Sequence, residues 1–227
     1  MDTRTVCRQW LVDKLALHNN LWADKKTILV LGGSEFEPEM DLFPKTLFDI
    51  TFAGIDKGLN TEFLNLNSPT NHTLTYDVII CNQVFEHLIK PHIAFENISK
   101  LSVPGSLVWI TVPASNFRHG SPDFYSAGYS KEFLEKNMEC MEFQKIELGE
   151  LSCKRVYLFR HLMHIWPTSR QFKHPLFSKY GHPGTLPHKI LYNLSTIYLR
   201  IILSRSDSKM EINGDHSIET FGLWIKK

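Results

Sequence analysis

The chain is short of the features that would place it outside ordinary globular proteins. Its four cysteines, Cys7, Cys81, Cys140 and Cys153, never fall at paired Cys-x-x-Cys spacing. That excludes a cysteine zinc site and a disulfide framework, and fits reduced thiols in the cytoplasm. Charge of one sign is lacking too: 25 Lys and Arg against 24 Asp and Glu leave a net charge of +1. Without a basic field, sequence-independent binding to nucleic acid is excluded. No uninterrupted apolar run approaches the ~20 residues that a membrane span requires. The opening Met1–Cys7 has no hydrophobic signal core, so a cytoplasmic protein without a membrane span is expected. Eleven histidines are present, yet none has tight His-x-x-x-His spacing backed by carboxylates, and no metal site is expected. There are no repeats and no low-complexity segments.

What the chain does have is a set of buried strands. Tyr76–Cys81 and Leu107–Val112 are β-branched and aliphatic runs without polar alternation, as expected of parallel strands covered on both faces. Between them, Pro91, Ile93, Phe95, Ile98 and Leu101 form the stripe of a crossover helix that opens on proline. In open α/β sheets ligands sit outside the carboxyl ends of the strands, so Asn82, Gln83, Glu86 and His87 fall at the mouth of a site.

Upstream, Lys26–Leu31 is a strand that breaks into Gly32-Gly33-Ser34, and Asp49–Asp56 is a second strand ending in a carboxylate. The glycines let the backbone turn and approach a ligand. Asp56, about 24 residues further on, suits the two hydroxyls of a ribose. Glu62–Asn67 reads as a third strand with Asn65 at its carboxyl end. A nicotinamide dinucleotide competes for this pattern, but Glu35, Glu37 and Glu39 follow the turn and would repel a diphosphate while tolerating a sulfonium or an ammonium. Glu37 and Glu39 also suit the N-terminus of a following helix.

These four elements, in this order, resemble the class I S-adenosylmethionine-dependent methyltransferases of the small-molecule branch, whose fourth strand is followed by Glu-His-Leu (Glu86-His87-Leu88) and whose fifth is introduced by Pro-Gly (Pro104-Gly105). The resemblance covers roughly residues 25–150. It implies S-adenosylmethionine as cofactor and S-adenosylhomocysteine as product, with Gly32, Gly33, Ser34 and Glu35 at the methionine part and Asp56 on the ribose. It further implies Asn65 and the backbone of Leu66 beside the adenine, and Asn82 and Gln83 under the methionine moiety. Two positions depart from the family pattern: Val30 stands where an acid is usual, and Ser34 or Phe36 where a second spaced glycine is usual.

The fold implied is α/β: a doubly wound, Rossmann-like, mostly parallel sheet of seven strands with an antiparallel last strand, plus a helical insertion between the last two. Residues 1–227 would form one methyltransferase domain, with a helical cap at 1–24, a cofactor-binding core at 25–150, an insertion at 151–216 and the last strand at 217–227. The cap rests on a helix over Val6–Trp22 with Trp10, Leu11, Leu15 and Leu17 at helical spacing. Ser130 caps a helix over Lys131–Asn137, and Glu142–Leu148 is strand six. The insertion is rich in aromatics, His and Pro, which suits a lid over a substrate pocket, a self-packed appendage or a homodimer contact. Within it, Lys189–Arg205 places Ile190, Leu194, Ile197 and Ile201 on one helical face. Such a face either docks on the core or lies in a membrane interface.

Methyl transfer to a hydroxyl needs a base. His119-Gly120-Ser121-Pro122-Asp123-Phe124-Tyr125 is similar to the His-Gly-x-Pro-Asp-Tyr-Tyr loop of bacterial methyltransferases found with polysaccharide biosynthesis. His119 is the expected general base with Asp123 to orient it, or the turn is structural; His87 is the second candidate. The expected acceptor is a small molecule, foremost a hydroxyl of a sugar or glycan precursor. An amine or carboxylate metabolite is the alternative, and a catalytically silent scaffold is the alternative of another class.

Overall fold

The computed structural model describes residues 3–56, 62–116, 123–158, 194, 197, 201 and 209–227. The strands are β1 (Thr27–Leu31), β2 (Asp49–Gly54), β3 (Glu62–Phe63), β4 (Tyr76–Asn82), β5 (Ser102–Pro113), β6 (Phe143–Ser152), β7 (Glu211–Ile212) and β8 (Ser217–Lys226). They form one sheet in the order β3-β2-β1-β4-β5-β8-β6-β7. The first five are mutually parallel; β8 runs antiparallel between β5 and β6, and β7 antiparallel on the far side of β6. The carboxyl ends of β1 to β6 therefore share one edge, and β8 starts at that edge.

Alternate residues of each central strand feed two separate cores, which is why the runs carry no polar alternation. Leu29, Leu31, Ile79, Cys81, Val108 and Ile110 point to one face. There they meet α2 (Pro91–Lys100) and α3 (Lys131–Cys140) through Ala94, Phe95, Ile98, Leu134 and Met138. Ile28, Val30, Val78, Ile80, Leu107 and Trp109 point to the other face, onto Cys7, Leu11 and Leu15 of α1 (Thr3–Ala16). Polar contacts fix α1 across that face: Arg8 pairs with Glu37, and Lys14 and His18 both reach Glu147 on β6, each at 2.6 Å. Ser130 caps α3, its hydroxyl accepting from the Phe133 N–H.

Four expectations need correction. The sheet has eight strands, because Glu211-Ile212 pairs with the end of β6; two residues are too few for any periodicity, and the pairing is set by Asn213, which turns at φ 57° and bonds Glu150. Strand six runs on to Ser152, so β6 and β7 both enter the 151–216 stretch. The N-terminal helix stops at Ala16, short of Trp22, and Leu17 is 70% exposed; the last turn tightens, with the Leu17 N–H on the Lys14 carbonyl and the His18 N–H on the Leu15 carbonyl, and the His18 side chain is drawn to Glu147. Strand three is only two residues long, because Asn65 accepts from the Asn67 N–H at 2.9 Å and the side chain replaces the ladder.

The segment after β1 holds no α-helix, only a 3₁₀ turn over Pro38–Leu42. Pro38 opens it, and Phe43, which precedes Pro44, leaves helical conformation at φ −127°, ψ 74°. A cavity of about 410 Å³ lies between this segment and β2, floored by Met40, Phe43, Ile50 and Phe52.

Candidate active site

At the end of β1 the chain turns through Gly32 at φ 68°, its N–H donating to the Ala53 carbonyl at 2.8 Å. A β-carbon there would stand 2.7 Å from Val84 Cγ2. The first turn and the turn after β4 therefore touch through the space that glycine leaves. Gly33 is nearly as confined, 2.9 Å from Val30 Cγ1. Val30, where the resembled family carries an acid, is 2% exposed in the apolar core beside Phe52 and Ile80.

The acids after this turn are not three bare charges. Glu35 pairs with Lys45 at 2.6 Å and Glu37 with Arg8. Glu39 is 2% exposed, its Oε2 has no hydrogen-bond partner among the described residues, and burial raises its pKa. Repulsion of a diphosphate is correspondingly weaker than the sequence implies. A different feature disfavours one: the short 3₁₀ turn offers no row of helix N-terminal N–H groups to receive it.

After β4, Asn82 Oδ1 accepts from the Thr111 hydroxyl at 3.0 Å. Gln83 turns at φ 55°, a conformation rare for a side chain of this size, held by its N–H on the Thr111 carbonyl at 2.8 Å. Its amide donates to Glu219 Oε2 at 2.9 Å. Glu219 is only 6% exposed and stands opposite Pro113 at the end of β5.

The loop that follows β5 is laced onto the loop that follows β4. Tyr125 and Ser126 donate N–H bonds to the Glu86 carbonyl, and the Tyr129 hydroxyl donates to the Phe85 carbonyl at 3.0 Å. His87 Nδ1 bonds the Asp123 carbonyl, its ring lies edge-on to Phe124, and its Nε2 is 3.9 Å from Glu86 Oε1. A carbonyl only accepts, so Nδ1 carries the hydrogen and the neutral ring's lone pair is on Nε2. The Glu86 side chain is fully buried; burial, and secondarily this carboxylate, push the Cys81 thiol up.

The other expected residues lie along the same edge. Asp56 is exposed two residues past β2, Asn65 is half-buried with its carbonyl group committed to Asn67, and Leu66 has its side chain in the core, leaving only backbone for a ligand. Ser34 Oγ caps the Phe36 N–H at 3.4 Å. Asp123 is exposed, its carboxylate accepting from the Tyr125 hydroxyl at 3.3 Å. His119 and most of 159–208 lie outside the described residues. Among the described residues no cluster of three or more His, Cys, Asp or Glu could hold a metal, and no helix is long and apolar enough to cross a membrane.

Residues 7–177 match the model of a methyltransferase domain. The chain belongs to this family. No curated protein matches it in sequence. Solved structures similar to this methyltransferase include a SAM-dependent methyltransferase from Archaeoglobus fulgidus (12% identity, TM-score 0.53, covering 96% of this chain and 94% of that one). Another is from Clostridium acetobutylicum (10%, 0.52, 100% and 92%). Coclaurine N-methyltransferase bound to N-methylheliamine and SAH is also similar (14%, 0.55, 97% and 70%). At these identities the likeness is one of fold: the doubly wound, Rossmann-like sheet with an antiparallel strand inserted near its end.

One residue of this methyltransferase's edge escapes sequence reasoning. Glu219 sits in Ile218–Trp224, a run buried throughout, and a carboxylate inside such a run is the signal that marks it.

Proposed function

We propose that the protein transfers a methyl group from S-adenosylmethionine to a hydroxyl of a small-molecule acceptor, a sugar or glycan precursor of polysaccharide synthesis. The observation that supports the donor reading is the turn at Gly32, where a positive φ and a missing β-carbon let the chain fold back at the end of β1 and pack on Val84, bringing the first turn and the loop after β4 together at the mouth of the sheet. Gly32, Gly33, Ser34 and Glu35 border the methionine part, with Asn82 and Gln83 beneath it. Asp56 takes the ribose hydroxyls, and Asn65 with the Leu66 backbone flanks the adenine. The bound donor supplies an electrophilic methyl group on a sulfonium.

The chain's own work is to align the acceptor oxygen, exclude water and take the proton. Two imidazoles are candidates. His119 enters on the similarity of its loop, with Asp123 to orient it. His87 enters on geometry, since the Asp123 carbonyl fixes its tautomer and leaves Nε2 as the accepting nitrogen. We favour His87.

Incubation with isotopically labelled S-adenosylmethionine and panels of nucleotide sugars, amines and carboxylates tests the reading. Label in a sugar hydroxyl is the expected outcome. Label only in amines or carboxylates replaces the acceptor class, and donor binding without turnover on any panel leaves a scaffold. With the acceptor in hand, His87→Ala is expected to lower turnover about 10²–10⁴-fold with S-adenosylhomocysteine affinity retained. The same loss in His119→Ala alone would move the base to that loop.

A further inference from the structure

Glu219 and Gln83 form a buried pair whose chemistry is directional. The glutamate is 6% exposed, and its Oε2 receives the Gln83 Nε2 at 2.9 Å across 136 positions of sequence. Gln83 cannot shift easily, because its backbone is locked at φ 55° and hydrogen-bonded to Thr111. A primary amide has a donor end and an acceptor end on one carbon, and it can ordinarily flip between two nearly isosteric orientations. A carboxylate removes that freedom: it accepts from the NH₂ and would repel the carbonyl oxygen. The Gln83 oxygen is thereby turned away from Glu219, and no other described side chain bonds this half-buried amide.

We propose that Glu219 is a positioning residue for the cationic end of the donor's methionine arm. It pins the Gln83 amide so that its carbonyl oxygen is always presented to the α-ammonium group. The inference rests on the S-adenosylmethionine reading above. It assigns a specificity role to a residue on β8, a strand that the glycine turn, the ribose acid and the loop after β4 do not involve.

Calorimetry with two nucleosides separates positioning from mere structure. S-adenosylhomocysteine carries the amino-acid arm, and 5′-methylthioadenosine lacks it. Glu219→Ala is expected to weaken S-adenosylhomocysteine about tenfold, the scale of one hydrogen bond to a charged group, with 5′-methylthioadenosine within about twofold. Gln83→Ala should do the same, and the double variant should be no worse than either single, since both remove one device. Glu219→Gln offers an amide oxygen to the Gln83 NH₂ and should restore most of the affinity. Equal weakening of both nucleosides, or additive losses, would overturn the proposal. If Glu219→Ala fails to fold by circular dichroism, Gln83→Ala and Glu219→Gln decide: selective loss in the first with retention in the second supports it, and any other pairing overturns it. Wild-type protein that binds neither nucleoside would sink the donor reading itself, a result distinct from a loss of selectivity.

Discussion

Gly32 combines two demands that no other described glycine meets, a left-handed backbone and a neighbour 2.7 Å from where a β-carbon would be. Gly32→Ala should therefore cost about 1–3 kcal/mol in denaturant unfolding. Adding Val84→Ala should relieve the clash with Val84 while leaving the backbone cost in place, so partial recovery is the expected result. Glu39 sets a test of opposite character. Burial raises its pKa above the ordinary 4.5, the chain's own N–H and Arg8 opposing, so the folded state holds this proton more tightly than the unfolded chain does. Its contribution to stability then falls as pH rises from 4.5 through the folded pKa. Glu39→Gln should be more stable than wild type at neutral pH, and the gain should vanish in urea titrations below pH 4.5. An unchanged difference across that range would place the proton elsewhere.

Between elements, Asp77 joins the beginnings of β1 and β4. Its Oδ2 accepts from the Lys26 N–H, the Thr27 N–H and the Thr27 hydroxyl at 2.9–3.0 Å. Burial raises its pKa, but these bonds outweigh burial and the net shift is downward. The stabilisation is present above the ordinary 3.8 and is lost as pH falls through the folded value. Asp77→Ala should cost about 1–3 kcal/mol at neutral pH, narrowing in acid, by chemical denaturation. It is at this scale that the sequence reads best and worst. Apolar runs covered on both faces announced β1, β2, β4 and β5, the proline and serine starts announced α2 and α3, and the order of those elements announced the fold. The missing helix after β1, the truncated β3 and the added β7 were hidden because single residues decide them: Phe43 before a proline, Asn65 and Asn213 bonding backbone with their side chains. The site divides in the same way. Glycines and acids at strand ends are visible as local patterns. The bond between Gln83 and Glu219 depends on which strand is threaded beside β5, and the tether from His87 to Asp123 on how two loops meet across 36 positions.

For the molecule as a whole, a ligand that binds only the folded state raises its stability by mass action. S-adenosylhomocysteine at about a hundred times its dissociation constant should add about 2.7 kcal/mol and raise the unfolding midpoint by about 5–10 °C. NAD at the same concentration should leave it unmoved, and calorimetric melting curves read both. The insertion of β8 between β5 and β6 also has a meaning in time. During synthesis β1 to β5 can assemble in parallel as they emerge, yet β5 keeps a raw edge, and β6 has no strand beside it until residues 211–226 have been made. The nascent chain thus carries an open, apolar sheet margin at β5 from Pro113 until Ser217 is reached, about a hundred residues of translation, the interval in which edge-to-edge association competes with folding. Closure of the sheet waits for β8, and it is the same event that brings Glu219 to Gln83. The enzyme acquires its seam and its amide clamp together.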